Sequence, residues 1–156
     1  MVNLVEGKVV GIFIATGAKT PVKAVTEAHA VPGKGIEGDR YFTHTGSFSE
    51  KPGDGREITL IELESVEAAK RDYGVEIQPG ESRRNVVTRG IALNHLVGRE
   101  FDVGKVRLKG IRLCEPCDLL QDLTKGGIRS ALIHRGGLRA NIVSDGVFKV
   151  GDSISA

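Results

Sequence analysis

The chain has 156 residues and a formal net charge of +2, enough for one domain with its own core and too little charge to argue for nucleic acid or a membrane surface as partner. No apolar run approaches the ~20 residues of a membrane span, and the opening MVNLVEGKVVGIFIATG lacks the basic start and unbroken apolar core of a signal peptide, because Glu6 and Lys8 interrupt it. Two cysteines in such a chain predict reduced thiols and a cytoplasmic location, and 21 glycines against 4% aromatic residues predict tight turns rather than a large aromatic ligand box.

Residues 5–14, VEGKVVGIFI, are rich in apolar and β-branched side chains and predict a first strand, kinked or bulged at Gly11. After a turn at 16–20, Pro21 opens a second extended run with Val22, Ala24 and Val25 half-buried and Lys23 and Thr26 solvated. Residues 29–40 read as a sharply bent loop. Residues 41–56 read as a long polar surface loop, the kind that serves as a lid or binding loop. Residues 57–61 predict a short strand that runs into the clearest helix of the chain, 62–74. There Leu63, Val66, Ala69 and Tyr73 recur at helical spacing, acidic residues crowd the first turns, and Lys70-Arg71 sit in the last. Thr59 and Glu62 have the spacing of a capping box, and Gly74 is a natural C-cap.

Beyond the helix, 77–82 is a turn around Pro79-Gly80, 83–90 a strand flanked by arginines, and 94–98 one helical turn. Residues 101–103 and 106–111, with Leu113, are β-like around Gly104, whose position predicts a hairpin. Short helices are expected at 118–123 and 128–134, the second broken by Arg135-Gly136-Gly137. Residues 138–143 alternate as a strand, and Ser144-Asp145-Gly146 predicts a hairpin turn into a returning strand at 147–150. No internal repeat or linker interrupts the pattern. Many short strands, glycine turns and one good helix predict a single mostly β domain over 1–156, an antiparallel β-barrel with a few short helices.

Chemistry concentrates in GIRLCEPCDLL at 110–120, which holds both cysteines. A thiolate is a nucleophile and a soft-metal ligand, whereas a thiol is neither. Pro116 fixes the backbone just before Cys117, and a helix at 118–123 puts Cys117 near an N-terminus, where the dipole favours the thiolate. Three other readings stay open from the residues alone. The pair is two buried structural cysteines, or half of a zinc site, or a dithiol redox unit. Zinc wants four ligands, and His29, His44, His95 and His134 are scattered singly. A thioredoxin-like pair of Cys114 and Cys117 wants a βαβ setting that the flanks do not provide.

Arg40, Arg83, Arg84, Arg89, Arg135 and Arg139 all lie in or beside glycine-rich turns or short strands. That placement suits bidentate phosphate binding and equally describes solvated surface charge. Neither G-x-G-x-x-G nor a P-loop occurs. His134 is either a proton donor near a reduction site or a hydrogen-bonding framework residue, and Asp39 is expected to fix its own loop through backbone hydrogen bonds.

Five stretches in order, GIEGDR at 35–40, RNVVTRG at 84–90, LVGREF at 96–101, CEPCDL at 114–119 and RGGLRA at 135–140 leading to Gly151-Asp152, resemble the MOSC domain, named for the C-terminal part of molybdenum cofactor sulfurases. The resemblance runs from about residue 5 to residue 154 and implies a β-rich barrel. It implies that Cys117 is the functional thiol. In amidoxime- and hydroxylamine-reducing members this thiolate ligates molybdenum held by a pterin dithiolene, and in sulfurase relatives it is proposed to carry or receive sulfur. Arg40, Arg84 and Asn85 match positions expected to hold the pterin phosphate or line the pocket, and Arg135 lies in the matching glycine turn. The implied cofactor is the molybdenum cofactor (molybdopterin). The implied activity is reduction of N-hydroxylated compounds of the hydroxylaminopurine or amidoxime type, and the alternative is a sulfur or cofactor carrier without turnover. The chain has no flavin, iron–sulfur or pyridoxal module, so a small-molecule substrate would be served by a separate redox partner or sulfur donor.

Overall fold

The computed structural model describes residues 6–42, 55–116 and 126–156. Most of the expected loop at 41–56, Cys117 and the expected helix at 118–123 lie outside the described residues. Within them the strands are β1 (Glu6–Ile14), β2 (Lys23–Val25), β3 (Glu27–Val31), β4 (Gly35–Ile36), β5 (Ile58–Glu62), β6 (Val86–Arg89), β7 (Glu100–Val103), β8 (Val106–Leu113), β9 (Leu138–Ile142), β10 (Gly146–Lys149) and β11 (Ser153–Ser155). Helix α1 spans Leu63–Tyr73, α2 is a single turn at Ile128–Ala131, and 3₁₀ turns occupy Pro79–Ser82 and Leu93–Leu96.

Seven strands hydrogen-bond in the order β11-β7-β8-β9-β5-β6-β1, and β11 pairs back onto β1, so the sheet closes into a barrel. Closure leaves those strands no free edge. The expected β-barrel is therefore the architecture found. Strand β1 shifts register against β6 between Val9 and Gly11, which is the bulge expected at Gly11. The β7–β8 hairpin also forms as expected, with Gly104 at φ 57° in its turn. Among the described strands β5 pairs parallel with β6, and α1 makes the crossover between them.

Four expectations change. The segment 29–40 is not all loop. Residues 27–31 alternate in burial as β3 and fold back through Gly33 to β4. The turn after β9 does not make a hairpin with it. Both edges of β9 are occupied, by β8 and β5, so β10 leaves the barrel and pairs with β3 in a separate three-stranded sheet. Strand β2 lies on the open side of β1, outside the closed ring, and its Ala24 is exposed rather than half-buried. The Thr59–Glu62 capping box does not form. Thr59 is still strand, and the N-cap residue Glu62 instead accepts the Leu93 N–H at 3.2 Å. Gly74 does cap α1, in the left-handed region at φ 67° with its N–H on the Lys70 carbonyl.

Two apolar layers meet at β5. Leu60 faces the barrel interior with Val9, Ile12, Val86, Leu108 and Leu138, and its neighbour Ile61 faces outward against Val66 and Ala69 of α1, Val87 and Leu132. Each such side chain, taken out of water, stabilises the fold by about 1.5–3 kcal/mol. Because both faces of β5 are covered, its alternation reads in the sequence as an unbroken apolar run. This double layer holds β5, β6 and β9 rigidly, and the loops at their ends carry the polar groups considered next.

Candidate functional site

The last residues of β8 run alongside the turn Arg135-Gly136-Gly137. The Cys114 N–H donates to the Gly137 carbonyl at 2.7 Å. A methyl on Gly136 would press on the Cys114 carbonyl and Pro116, and Gly137, at φ 116°, has no room for one beside the Leu60 carbonyl. Both glycines are thus required for the close approach of the two segments. Arg84 locks it. Its Nε donates to the Gly136 carbonyl at 2.8 Å and its Nη2 to the Cys114 carbonyl at 3.0 Å, with the side chain almost wholly buried. No carboxylate among the described residues pairs with Arg84, so carbonyl dipoles face its charge. Cys114 itself is a free, buried cysteine.

The residue after Cys114 makes a second tie. Glu115 Oε1 accepts the His134 backbone N–H at 2.7 Å, and Oε2 lies 2.8 Å from His134 Nδ1. The His134 carbonyl accepts from Asn94 Nδ2 at 2.8 Å. His134 is held at φ 62°, a left-handed conformation unusual for a residue other than glycine.

A first group of arginines gathers where β1 ends. The Asp39 carboxylate, fully buried, accepts the Ala15 N–H at 3.0 Å and Arg40 Nη1 at 3.1 Å, which gives it the loop-fixing role expected from the sequence. Arg40 is also buried. It donates through Nη2 to the Arg83 carbonyl at 3.1 Å and lies 4.7 Å from the centre of the Tyr41 ring. Arg83 reaches the carbonyls of Thr20 and Ala18 at 2.7 and 3.1 Å. Burial, and then the Arg40 charge, push its guanidinium below the usual arginine value.

A second group sits on the outer face of β8 and β9. The bulge between Gly110 and Arg112 places Arg112 directly opposite Arg139 in the β8–β9 register. Gly55, with its N–H on Asn141 Oδ1 at 2.8 Å, lies against both arginines and brings Arg56 to them. Burial, and then the like charges of Arg139 and Arg112, lower the Arg56 guanidinium from its ordinary value. Tyr41 and Cys114 are close enough to act on Arg56 in the opposite sense, which ties this group to the Cys114 segment. Arg56, Arg112 and Arg139 thus lie close enough for their guanidinium charges to act on one another.

The six arginines singled out in the sequence do not form one wall. Arg40, Arg83 and Arg84 cluster near the start of β6, and Arg139 joins Arg112 and Arg56. Arg89 pairs with Glu67 at 3.1 Å on the surface. Arg135 points to the end of α1, where it donates to the Ala131 carbonyl at 2.8 Å and to Asp72 at 2.9 Å, 5.8 Å from the Tyr73 ring centre. Arg71 first, and Arg135 second, hold the Asp72 carboxyl well below the usual carboxylate range. An open groove of about 630 Å³ lies there, lined by Asp72, Tyr73, Ile133, His134 and Arg135.

Asn85 has its side chain committed within the fold. Its Oδ1 accepts both the N–H and the hydroxyl of Thr59 at 3.1 Å, and its Nδ2 donates to the Phe13 carbonyl at 3.1 Å. Arg56 and Arg112, which sequence reasoning missed, join Arg139 in the candidate site. Their signal was weak, since Arg112 falls at a bulge that breaks strand alternation and Arg56 follows a long polar loop. Among the described residues no group of histidine, cysteine and acidic side chains has the arrangement of a metal site.

A sequence model of the family described as "MOSC domain" matches residues 49–155. Among solved structures, the YuaD protein from Bacillus subtilis superposes with a TM-score of 0.78 at 20% identity, over 96% of this chain and 94% of that one. YiiM from Geobacillus stearothermophilus gives 0.71 at 14% identity over 96% and 74%. YiiM from Escherichia coli gives 0.65 at 15% over 97% and 69%. At these identities the likeness is one of fold. No curated protein matches the chain in sequence.

Proposed function

The chain belongs to the MOSC domain family, and from that premise we propose that it binds the molybdenum cofactor through Cys117 and reduces N-hydroxylated compounds of the hydroxylaminopurine or amidoxime type. One observation carries the reading. Arg56, Arg112 and Arg139 converge at the end of the strand that leads through Cys114-Glu115-Pro116 into Cys117.

The donor set fits such a group. A thiolate at Cys117 is a soft ligand of the kind that accepts a thiophilic metal, and guanidinium forks match a phosphate bidentately. In this proposal Arg56, Arg112 and Arg139 hold the phosphate end, and Cys117 holds the metal. Arg84 keeps the Cys114-Glu115-Pro116 segment against the Arg135 turn by its two carbonyl bonds. Arg40 stacks on Tyr41, a residue close enough to act on the Arg56 guanidinium. Asn85 and Arg135 enter as framework, because their bonds are made to β5, β1 and α1. The bound group supplies the two-electron redox chemistry, and a separate donor protein supplies the electrons.

The test is purification from a host that makes the cofactor, with molybdenum and pterin quantified by mass spectrometry and benzamidoxime reduction assayed with reduced methyl viologen. The proposal expects near-stoichiometric metal and turnover. Absence of both molybdenum and pterin contradicts it. A persulfide on Cys117 after exposure to a cysteine desulfurase, in a protein that does not turn over, replaces it with the carrier reading.

A further inference from the structure

The ring of His29, on β3, bridges two segments that are far apart in the chain. Its Nδ1 lies 3.0 Å from Glu37 Oε2, just past β4, and its Nε2 lies 2.8 Å from Asp145 Oδ1, in the turn that leads into β10. Both partners are carboxylates, and an ionised carboxylate only accepts. Two such contacts need two N–H groups, and only the imidazolium has both. The neutral ring has one N–H and one lone pair, so one carboxylate would then face an acceptor. Geometry selects Glu37 as the one that leaves. Its contact is the longer, and its side chain has one more rotatable bond than that of Asp145 and is 64% exposed. The Glu37 N–H, bonded to the His29 carbonyl at 2.9 Å, keeps the main chain near while the side chain swings out. The elements around the ring carry no other charge onto it. In the β3–β10 register Val147 stands opposite His29, and Glu27 stands opposite Lys149. Strand β4 is Gly35 and Ile36, Lys34 before it lies over the Phe42 ring, and Arg107, whose N–H bonds Ser144, is paired with Asp102.

We propose that His29, Glu37 and Asp145 form a proton-operated latch: the charged ring ties the 37–40 turn to the turn before β10, and loss of one proton releases Glu37 while Asp145 stays bound. Asp145 first, and Glu37 second, hold the imidazole above its ordinary value. The latch is therefore shut below that raised midpoint and opens as pH climbs through it. What it holds is the start of the segment that carries Asp39 and Arg40. There the Asp39 carboxylate takes the Ala15 N–H and Arg40, and Arg40 reaches the Arg83 carbonyl. One proton on an outlying sheet thus bears on how firmly the turn before Arg40 is tied down. The latch is a property of the chain itself and stands apart from the reductase reading.

The experiment compares wild type, Glu37→Gln and Asp145→Asn by NMR, with pH carried through the His29 midpoint. Ring nitrogen shifts report the tautomer. Amide exchange, corrected for its intrinsic pH dependence and referred to the amides of β5, reports how firmly the turn is held. Above the midpoint, wild type is expected to show the Nε2–H tautomer, and protection of the Glu37 and Asp39 amides is expected to fall by about two- to fivefold, the worth of one exposed ion pair. A carboxamide both donates and accepts. In Glu37→Gln the side chain can donate to the neutral Nδ1, so protection is expected to stay level across the midpoint. In Asp145→Asn the amide donates to Nε2 instead, and the tautomer is expected to switch to Nδ1–H. Each variant is compared with itself across pH, so a uniform loss of stability does not imitate the result. An Nδ1–H tautomer in wild type above the midpoint, level protection in wild type, or an equal fall in Glu37→Gln would overturn the latch.

Discussion

Asn85→Ala separates a framework residue from a cofactor ligand. The Asn85 side chain is fully buried and joins β5 to β1: its oxygen serves the Thr59 N–H and hydroxyl, and its nitrogen serves the Phe13 carbonyl. Alanine leaves a buried N–H, a hydroxyl proton and one carbonyl lone pair without these partners. A stranded buried group costs about 1–3 kcal/mol. The Thr59 hydroxyl can turn and the carbonyl can accept elsewhere, so the sum is about 3–5 kcal/mol rather than the upper limit of three such losses. Against a total stability of about 5–15 kcal/mol for a domain, that is a large fraction. With a urea slope of about 2 kcal/mol/M, the midpoint falls by roughly 2 M. Urea melts followed by circular dichroism measure it, and molybdenum content per folded molecule is read on the same sample. A loss under about 1 kcal/mol, together with a fall in molybdenum per folded molecule, would refute the framework assignment.

Three further outcomes follow from separate parts of the molecule. Gly137→Ala forces a side chain onto the Leu60 carbonyl at φ 116°; a loss of about 2–5 kcal/mol is expected from strain and overpacking together, and a melting temperature unchanged from wild type would contradict it. Arg112→Gln and Arg139→Gln should each weaken inorganic phosphate binding by about tenfold or more, as removal of one charge-assisted contact of 1.5–3 kcal/mol requires; calorimetric titration checks this, and equal affinities would dissolve the cluster as an anion site. His29 donates from Nδ1 to Glu37 at 3.0 Å and from Nε2 to Asp145 at 2.8 Å. Asp145 first and Glu37 second hold its imidazole above the ordinary value of about 6.5. A raised folded value means that the stabilisation is complete below about 6.5 and fades as pH rises through the folded midpoint. An NMR titration should place that midpoint above 6.5 and return it towards 6.5 in Asp145→Asn, and a wild-type midpoint at or below 6.5 would contradict the bridging geometry.

The barrel was legible because its signals are local. Gly74 after a helical repeat, Gly104 between two alternating runs and Gly11 within a strand each mark one structural event, and each event occurs there. The partner of β10 was not legible. Asp145-Gly146 predicts a turn but not which edge the next strand meets, and that depends on β8 and β5 already flanking β9. The site shows the same division. Arginines beside glycines are visible in the sequence, but their destinations are set by register. Arg139 meets Arg112 only because of the β8 bulge, and Arg84 turns to two carbonyls. Asn85, beside Arg84 in a family motif, reads like a ligand, yet its polar atoms are used across β5 and β1.

The most direct test of the central claim is the molybdenum content of Cys117→Ser beside Cys114→Ser, both purified from a cofactor-competent host. If Cys117 ligates the metal, Cys117→Ser loses most of its molybdenum, while Cys114→Ser, altered at a buried sulfur, keeps it. Full molybdenum in Cys117→Ser would contradict the claim.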